Sequence, residues 1–254
     1  MTKEESKMKK LWNYFTTYEK WWFFGIVGLS ILVTILFPSS VEDLSVNPWL
    51  IMSLYLLDIF LSLLCELLIS KQSKWNFIVS ILFIEITESI LYFSLGYYSV
   101  ALISIIFWIP IDIVSFIAWH KHPDQKEDVL TEVKRLTWKQ DILAVLAILA
   151  FGFGVGYILT LIPGAEDTYL DAFTSAVGMA NGILILFRYN EQWIAWMMTL
   201  ILDAALYIMS GSYIMLITVA AMMVNTVYGF IKWLIYTNKN RKEKTIEENK
   251  KLEA

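Results

Sequence analysis

Charged residues are scarce in this chain of 254: they fill 17% of positions, against 57% hydrophobic. A soluble domain of this length carries about 25% charged and 45–50% apolar residues. With a mean hydropathy of +0.58, this scarcity excludes a soluble globular enzyme and a disordered chain. Basic charge is not in excess: 20 Lys and Arg against 24 Asp and Glu leave a net charge of −4. No basic field exists to attract a phosphate backbone, so nucleic acid is not a partner. Cys65 is the single cysteine, which excludes an internal disulfide and a Cys-rich metal site. His120 and His122 are the two histidines and leave little for His-based catalysis. No cofactor or metal is called for, and no Walker A sequence is present to drive ATP-dependent pumping.

What fills the chain instead is long apolar runs. A helix needs about 20 apolar residues to cross the hydrocarbon core, and eight runs qualify: 21–37, 49–69, 75–95, 97–119, 141–162, 168–187, 191–209 and 213–236. They are too continuously apolar to alternate in and out, so a β-barrel is excluded. The fold class is all-α, a polytopic membrane protein. The first run opens Trp21-Trp22-Phe23-Phe24, an interfacial aromatic cluster, and lacks a small-residue cleavage site, so it reads as a span and not as a signal peptide.

Lys and Arg set the orientation. With the N-terminus inside, all 20 basic residues fall on inner segments, and the outer loops hold Glu42, Asp43, Glu166 and Asp167. Both termini are therefore expected in the cytoplasm of a cell whose plasma membrane holds the protein.

A pattern occurs twice. Glu88-x-x-Leu91-Tyr92-x-x-x-Gly96-x-Tyr98 ends the third run, and Asp203-x-x-Leu206-Tyr207-x-x-x-Gly211-x-Tyr213 ends the seventh. The following runs end Phe116-x-x-Trp119 and Phe230-x-x-Trp233. Runs 2–4 and 6–8 start on the same side, so run 5 must connect them. The expected organisation is an N-terminal tail and extra helix (1–48), a three-helix repeat (49–119), a cytoplasmic link and connecting helix (120–167), a second repeat (168–236) and a charged tail (237–254), expected to be mobile. Within the link, Val129–Trp138 is compatible with a short surface helix. Parallel repeats about an axis along the membrane normal are a transporter architecture, with substrate between them.

Asp58, Glu66, Glu85, Glu88, Asp112, Asp171 and Asp203 fall inside spans with no basic residue deep enough to pair. Each central acid costs about 2.5–3.5 kcal/mol on insertion scales, so they are expected to face a bundle interior. Asp171 and Glu66 lie toward span ends and are the nearest to plain interface residues. Helical spacing gathers further groups on the same faces: Trp196, Thr199, Asp203 and Tyr207 on span 7, Glu85, Glu88 and Tyr92 on span 3, Trp108 and Asp112 on span 4, Asn225 and Tyr228 on span 8. Asp171, Ser175, Gly178 and Asn181 share a face of span 6. Pro110 frees a backbone carbonyl and is expected to bend span 4. Flat aromatic faces stack on planar rings and attract cations, while amides and tyrosines bond sugar hydroxyls. The inventory suits a small polar aromatic solute, positively charged and hydroxylated.

Arg188-Tyr189-x-Glu191-x-Trp193-x-x-Trp196 entering span 7, the Leu206-Tyr207-x-x-x-Gly211-x-Tyr213 run and Tyr228-Gly229-x-x-x-Trp233 together resemble the PnuC family of vitamin and nucleoside transporters. Trp119 ending span 4 and Asp171 opening span 6 also match, and the resemblance covers about 49–236. It implies a 3 + 1 + 3 helix core, often assembled as a homotrimer, carrying nicotinamide riboside by facilitated diffusion. Intracellular phosphorylation then traps the riboside. Related members are assigned thiamine, riboflavin or deoxynucleosides. Leu200 departs from the nicotinamide riboside pattern, which often has Asn there. Asp203, a turn further on, partly substitutes.

An intramembrane enzyme is the competing class. His-Glu-x-x-His is absent, His120 and His122 sit in an inner loop, and Gly152-x-Gly154-x-Gly156 lacks the Asp of an aspartyl protease. That glycine run reads as close helix packing.

Overall fold

The computed structural model describes residues 13–36, 48–121 and 133–252. The early lysines Lys3, Lys7, Lys9 and Lys10, the acids Glu42 and Asp43 expected in an outer loop, and His122 and Lys126 lie outside the described residues.

Eight helices long and apolar enough to cross a membrane are present among the described residues: α1 (Thr17–Leu36), α2 (Pro48–Ser70), α3 (Trp75–Ser94), α4 (Tyr98–Lys121), α5 (Trp138–Leu159), α6 (Thr168–Leu186), α7 (Gln192–Met209) and α8 (Tyr213–Leu252). Each corresponds to one of the eight runs. Their ends shift where local chemistry outweighs hydropathy. α1 begins earlier because Thr16 and Glu19 form a reciprocal cap: Thr16 N–H donates to Glu19 Oε2 at 2.8 Å and Glu19 N–H to Thr16 Oγ1 at 3.2 Å, satisfying two orphan donors. α5 starts at Trp138, where the Thr137 N–H donates to Gln140 Oε1 at 2.8 Å. The described part of the surface helix expected over Val129–Trp138 is extended instead. Lys134 N–H donates to Arg188 O at 2.8 Å and Asn190 N–H to Lys134 O at 2.9 Å, a one-residue bridge that ties the link to the α6–α7 turn. The tail beyond 236, expected to be mobile, continues α8 as helix to Leu252, in keeping with its Lys, Glu and Arg, all good helix formers.

Two helices widen by a π turn, α3 over Ser80–Ile84 and α4 over Ser104–Trp108. The second lies just before Pro110, whose ring crowds the preceding turn and has no N–H to donate. A wider turn at this place eases that crowding.

α2, α3 and α4 pack together, as do α6, α7 and α8; α5 rests on α6 and α1 lies across α2 and α8. Gly152 and Gly156 let α5 approach closely, since a Cβ would meet the Phe173 ring at 2.4 Å and the Tyr169 ring at 2.5 Å. Gly154 of the same run meets nothing within 4 Å.

The two triplets touch through matched contacts. The α2–α3 and α6–α7 turns each hold a left-handed residue, Gln72 (φ 56°) and Arg188 (φ 61°), and the α3–α4 and α7–α8 turns each a left-handed glycine, Gly96 (φ 82°) and Gly211 (φ 73°). At Gly96 a side chain is barred twice, by φ and by Gly164 O at 2.8 Å from a Cβ. Tyr55 of α2 reaches the α7–α8 turn, with its hydroxyl 3.3 Å from Ser212 Oγ. Asp171 of α6 reaches the start of α4, accepting both Ser99 N–H and Val100 N–H at 2.8 Å. Phe77 meets Trp119 edge to face at 5.1 Å, and Trp193 meets Trp233 likewise at 5.5 Å, with Trp119 and Trp233 6.2 Å apart between them.

Candidate substrate cavity

Helical periodicity aims one stripe from each inner helix at a common space. Asp58, Ser62, Cys65 and Ile69 recur at i, i+4, i+7 and i+11 on α2; Gln192, Trp196, Thr199, Asp203 and Tyr207 do the same on α7. With Ser80, Glu85, Glu88 and Tyr92 of α3, Trp108 and Asp112 of α4, Ser175 and Asn181 of α6, and Thr218 of α8, they enclose a cavity of about 140 Å³. The π turns of α3 and α4 contribute Ser80, Ile84, Ser104 and Trp108 to its wall.

Aromatic groups bound it at both ends. At one, Tyr92 and Tyr207 stack at 5.9 Å with 17° between planes, and their hydroxyls are 2.7 Å apart. Tyr92 also donates toward Asp203 Oδ1 at 3.2 Å. At the other, Phe77 lines the wall and is backed by Trp119, Trp193 and Trp233, where Trp119 Nε1 donates to Ile185 O at 3.1 Å. Gly229 makes room for the Trp193 ring, which a Cβ would meet at 2.3 Å.

The polar groups are only partly satisfied within the protein. Ser80 Oγ donates to Glu85 Oε1 at 2.7 Å, Thr87 Oγ1 to Asp58 Oδ1 at 3.0 Å and Thr226 Oγ1 to Glu66 Oε1 at 3.2 Å. Glu85 Oε2, Asn181 Oδ1, Gln192 Nε2 and Thr218 Oγ1 are buried with no hydrogen bond inside the protein. Trp196 faces Glu66 on the same wall. Buried polar atoms are normally paired, so a wall with several unpaired ones is built to hold a polar solute or water. Tyr97, in the α3–α4 turn, has its hydroxyl pushed above the usual tyrosine range by burial and by Asp167 beside it.

Of the residues anticipated for the site, the structure brings together Trp196, Thr199, Asp203, Tyr207, Glu85, Glu88, Tyr92, Trp108 and Asp112 on this one cavity. Asn225 and Tyr228 are not in its lining. Asn225 is fully buried and its Nδ2 donates to Glu66 O at 3.3 Å, pinning α8 to α2. The Tyr228 hydroxyl turns outward to Glu19 Oε1 at 3.2 Å. The three-residue spacing was right for one helix face, but that face meets α2 and α1. Asp171, expected near an interface from its place toward a span end, caps α4. Glu66, placed near an interface by its position in the span, is 1% exposed and lines the cavity. Asp58, Gln192 and Thr218 were not singled out for the site. The i, i+4, i+7 stripes through Asp58 and through Gln192 were legible; Thr218 carries no signal beyond its neighbours.

This architecture has known counterparts. A sequence profile of the nicotinamide mononucleotide transporter family matches residues 52–235. The chain belongs to this family. The nicotinamide riboside transporter PnuC of Neisseria mucosa is 24% identical over 235 residues, covering 89% of this chain and 84% of that protein. The protein of the same name from Haemophilus influenzae is 20% identical over 180 residues, covering 67% and 74%. A crystal structure of the vitamin B3 transporter PnuC superposes with a TM-score of 0.71 at 22% identity, over 89% of this chain and 94% of the other. That likeness is one of fold. The family profile begins within α2, so α1 lies outside the part that the profile matches.

Proposed function

We propose that this member of the family carries nicotinamide riboside across the plasma membrane by facilitated diffusion, with intracellular phosphorylation drawing uptake. One observation carries the reading: a cavity that joins Trp196 and the Tyr92–Tyr207 pair to unpaired carboxyl, amide and hydroxyl groups. Trp196 stacks on the pyridinium ring, Asp203, Glu85 and Glu88 face its positive charge, and Asn181, Gln192 and Thr218 bond the ribose and carboxamide. The names borne by the relatives support the substrate.

Leu200 favours a second reading. It is 1% exposed and lines the cavity, replacing an amide by an apolar side chain, which suits thiamine or another ring with fewer hydrogen-bonding groups at that point. A thermal-shift series with nicotinamide riboside, thiamine, riboflavin and deoxynucleosides separates them. The true substrate at 100 times its dissociation constant stabilises by about 2.7 kcal/mol. Stabilisation by thiamine alone would replace the first reading with the second.

The proposal includes two parallel three-helix repeats, residues 49–119 and 168–236, joined by α5 and related by an axis passing between Tyr92 and Tyr207 and between Trp119 and Trp233. The matched turns and contacts support it. Both termini are placed in the cytoplasm by the distribution of basic residues, and a homotrimer is expected from the family resemblance. The two aromatic layers act as the outer and inner closures of an occluded carrier.

A further inference from the structure

α4 and α8 hold matched places in the two triplets, yet α4 is interrupted where α8 is not. From Gly96 to Trp119 the chain has one residue more than from Gly211 to Trp233. Tyr98 and Tyr213 stand at the same spacing from their glycines, and Phe116 and Phe230 at the same spacing from their tryptophans. The extra residue therefore falls between Tyr98 and Phe116, where the π turn over Ser104–Trp108 takes it up. A single widened turn absorbs one residue and leaves the helix on either side in register. Pro110 follows directly and offers no N–H to the carbonyls of that turn. Val224 holds the matching place in α8, which runs as continuous α-helix from Tyr213 to Leu252. A π turn next to a proline is where a helix bends most cheaply.

The neighbours of the turn suit a pivot. Phe107 and Trp108 lie against Gly182 of α6, where a Cβ would meet their rings at 2.9 Å and 3.1 Å. Beyond the turn, Ile109–Lys121 carries Asp112 on the cavity wall and Trp119 behind Phe77. This segment packs on α3 and α6, whereas α8 is held by α1, α2 and α7. The π turn of α3 has a different setting. The helix before it is the short Trp75–Val79, tied to α2 by Ser73 N–H to Leu68 O at 2.9 Å and by Cys65 Sγ to Asn76 O at 3.5 Å.

We propose that Ile109–Lys121 is the moving gate at the Phe77 end of the cavity, swinging about the Ser104–Trp108 turn while α8 stays fixed. Opening withdraws Trp119 from Ile185 O and from the Trp233 ring, and takes Asp112 off the cavity wall. The substrate then has a path past Phe77. The motion consumes nothing and is coupled to no second solute, so the substrate gradient alone sets the direction of net flow. The inference rests on the carrier reading of the cavity and names the part that moves.

The test uses the full chain in liposomes with labelled nicotinamide riboside. Ile106 is 58% exposed and lies off the cavity. Removing it together with Pro110→Ala makes α4 match α8 in length and continuity. This variant is expected to melt no lower than wild type and to bind the probe within about threefold, while uptake slows at least about tenfold. Uptake at the wild-type rate by the folded variant overturns the gate. No uptake by wild type overturns the carrier reading itself. Spin labels on an otherwise unaltered chain decide the matter if the variant does not fold. Lys121, Ile90, Ile208 and Ile235 are exposed, and the buried Cys65 stays unlabelled. The Lys121–Ile90 distance, within the first triplet, is expected to change on adding nicotinamide riboside, and Ile208–Ile235, within the second, to stay constant. A constant Lys121–Ile90 distance alongside a changing Lys121–Ile235 distance would mean that the triplets rock as rigid bodies, and overturns the gate.

Discussion

The Tyr92 and Tyr207 hydroxyls lie 2.7 Å apart, one from each three-helix unit, and their rings are nearly parallel at 5.9 Å. The pair is separated by 115 residues in sequence and closes one end of the cavity. A bond of this kind contributes about 0.5–1.5 kcal/mol net. Tyr92→Phe and Tyr207→Phe keep the rings and remove the hydroxyls one at a time. A double-mutant cycle on unfolding in mixed micelles is expected to return a coupling within that range. A coupling near zero would mean that the closure is held by ring packing alone.

Trp196 is half-buried on the cavity wall, where a planar substrate gains about 0.5–1.5 kcal/mol from stacking beyond area burial. Trp196→Ala is expected to weaken binding by several-fold to about tenfold, while Trp196→Phe keeps most of the affinity. Titration of the ligand against both variants checks this. Unchanged affinity in Trp196→Ala would move the residue into helix packing.

Glu19 has no exposed surface and joins α1 to both triplets. Its Oε2 is 2.9 Å from Lys71 Nζ and its Oε1 is 3.5 Å from Lys232 Nζ. Lys71 also donates to Tyr14 O at 2.9 Å and lies over the Tyr14 ring at 4.7 Å. Breaking a fully buried pair costs about 3–5 kcal/mol. Lys71 and Lys232 keep 12% and 36% of their side-chain surface, so water recovers part of that loss. Glu19→Gln is expected to cost about 1–3 kcal/mol, seen as a lower melting temperature. A melting temperature equal to wild type would show that Trp22, whose Nε1 donates to Ala221 O at 3.2 Å, and its apolar neighbours hold α1 by themselves.

Gly229 and Gly154 make a matched pair of helical glycines. A Cβ at Gly229 meets the Trp193 ring at 2.3 Å, whereas one at Gly154 meets nothing within 4 Å. Gly229→Ala is expected to destabilise by about 1–3 kcal/mol through overpacking, and Gly154→Ala to be neutral or slightly stabilising through helix propensity. Comparing their thermal unfolding reads the difference directly.

Cys65 is buried, so thiol labelling of the wild-type chain should give a low background. A cysteine placed at Lys126 is expected to resist an impermeant reagent in intact cells and to react after permeabilisation. Labelling from outside would reverse the assigned orientation.

Hydrophobic run length alone located all eight helices, because water and lipid sort 20-residue segments by composition before any tertiary contact forms. The doubled acid–Leu-Tyr–Gly–Tyr spacing also marked the Tyr92 and Tyr207 positions that meet in space. Stripes at i, i+4 and i+7 placed nine of the eleven anticipated site residues on the cavity, since periodicity defines which residues share a face. It does not define what that face meets. Asn225 and Tyr228 share a face that packs on α2 and α1; only the arrangement of neighbouring helices decides among such partners. The π turns of α3 and α4 and the bridge from Lys134 to the α6–α7 turn were equally out of reach, because they answer to contacts between segments far apart in sequence. Composition and period thus determined which residues lie in the membrane and on which side of each helix. The tertiary structure decided which of those sides enclose a common space, because that depends on how the helices pack and not on any one of them.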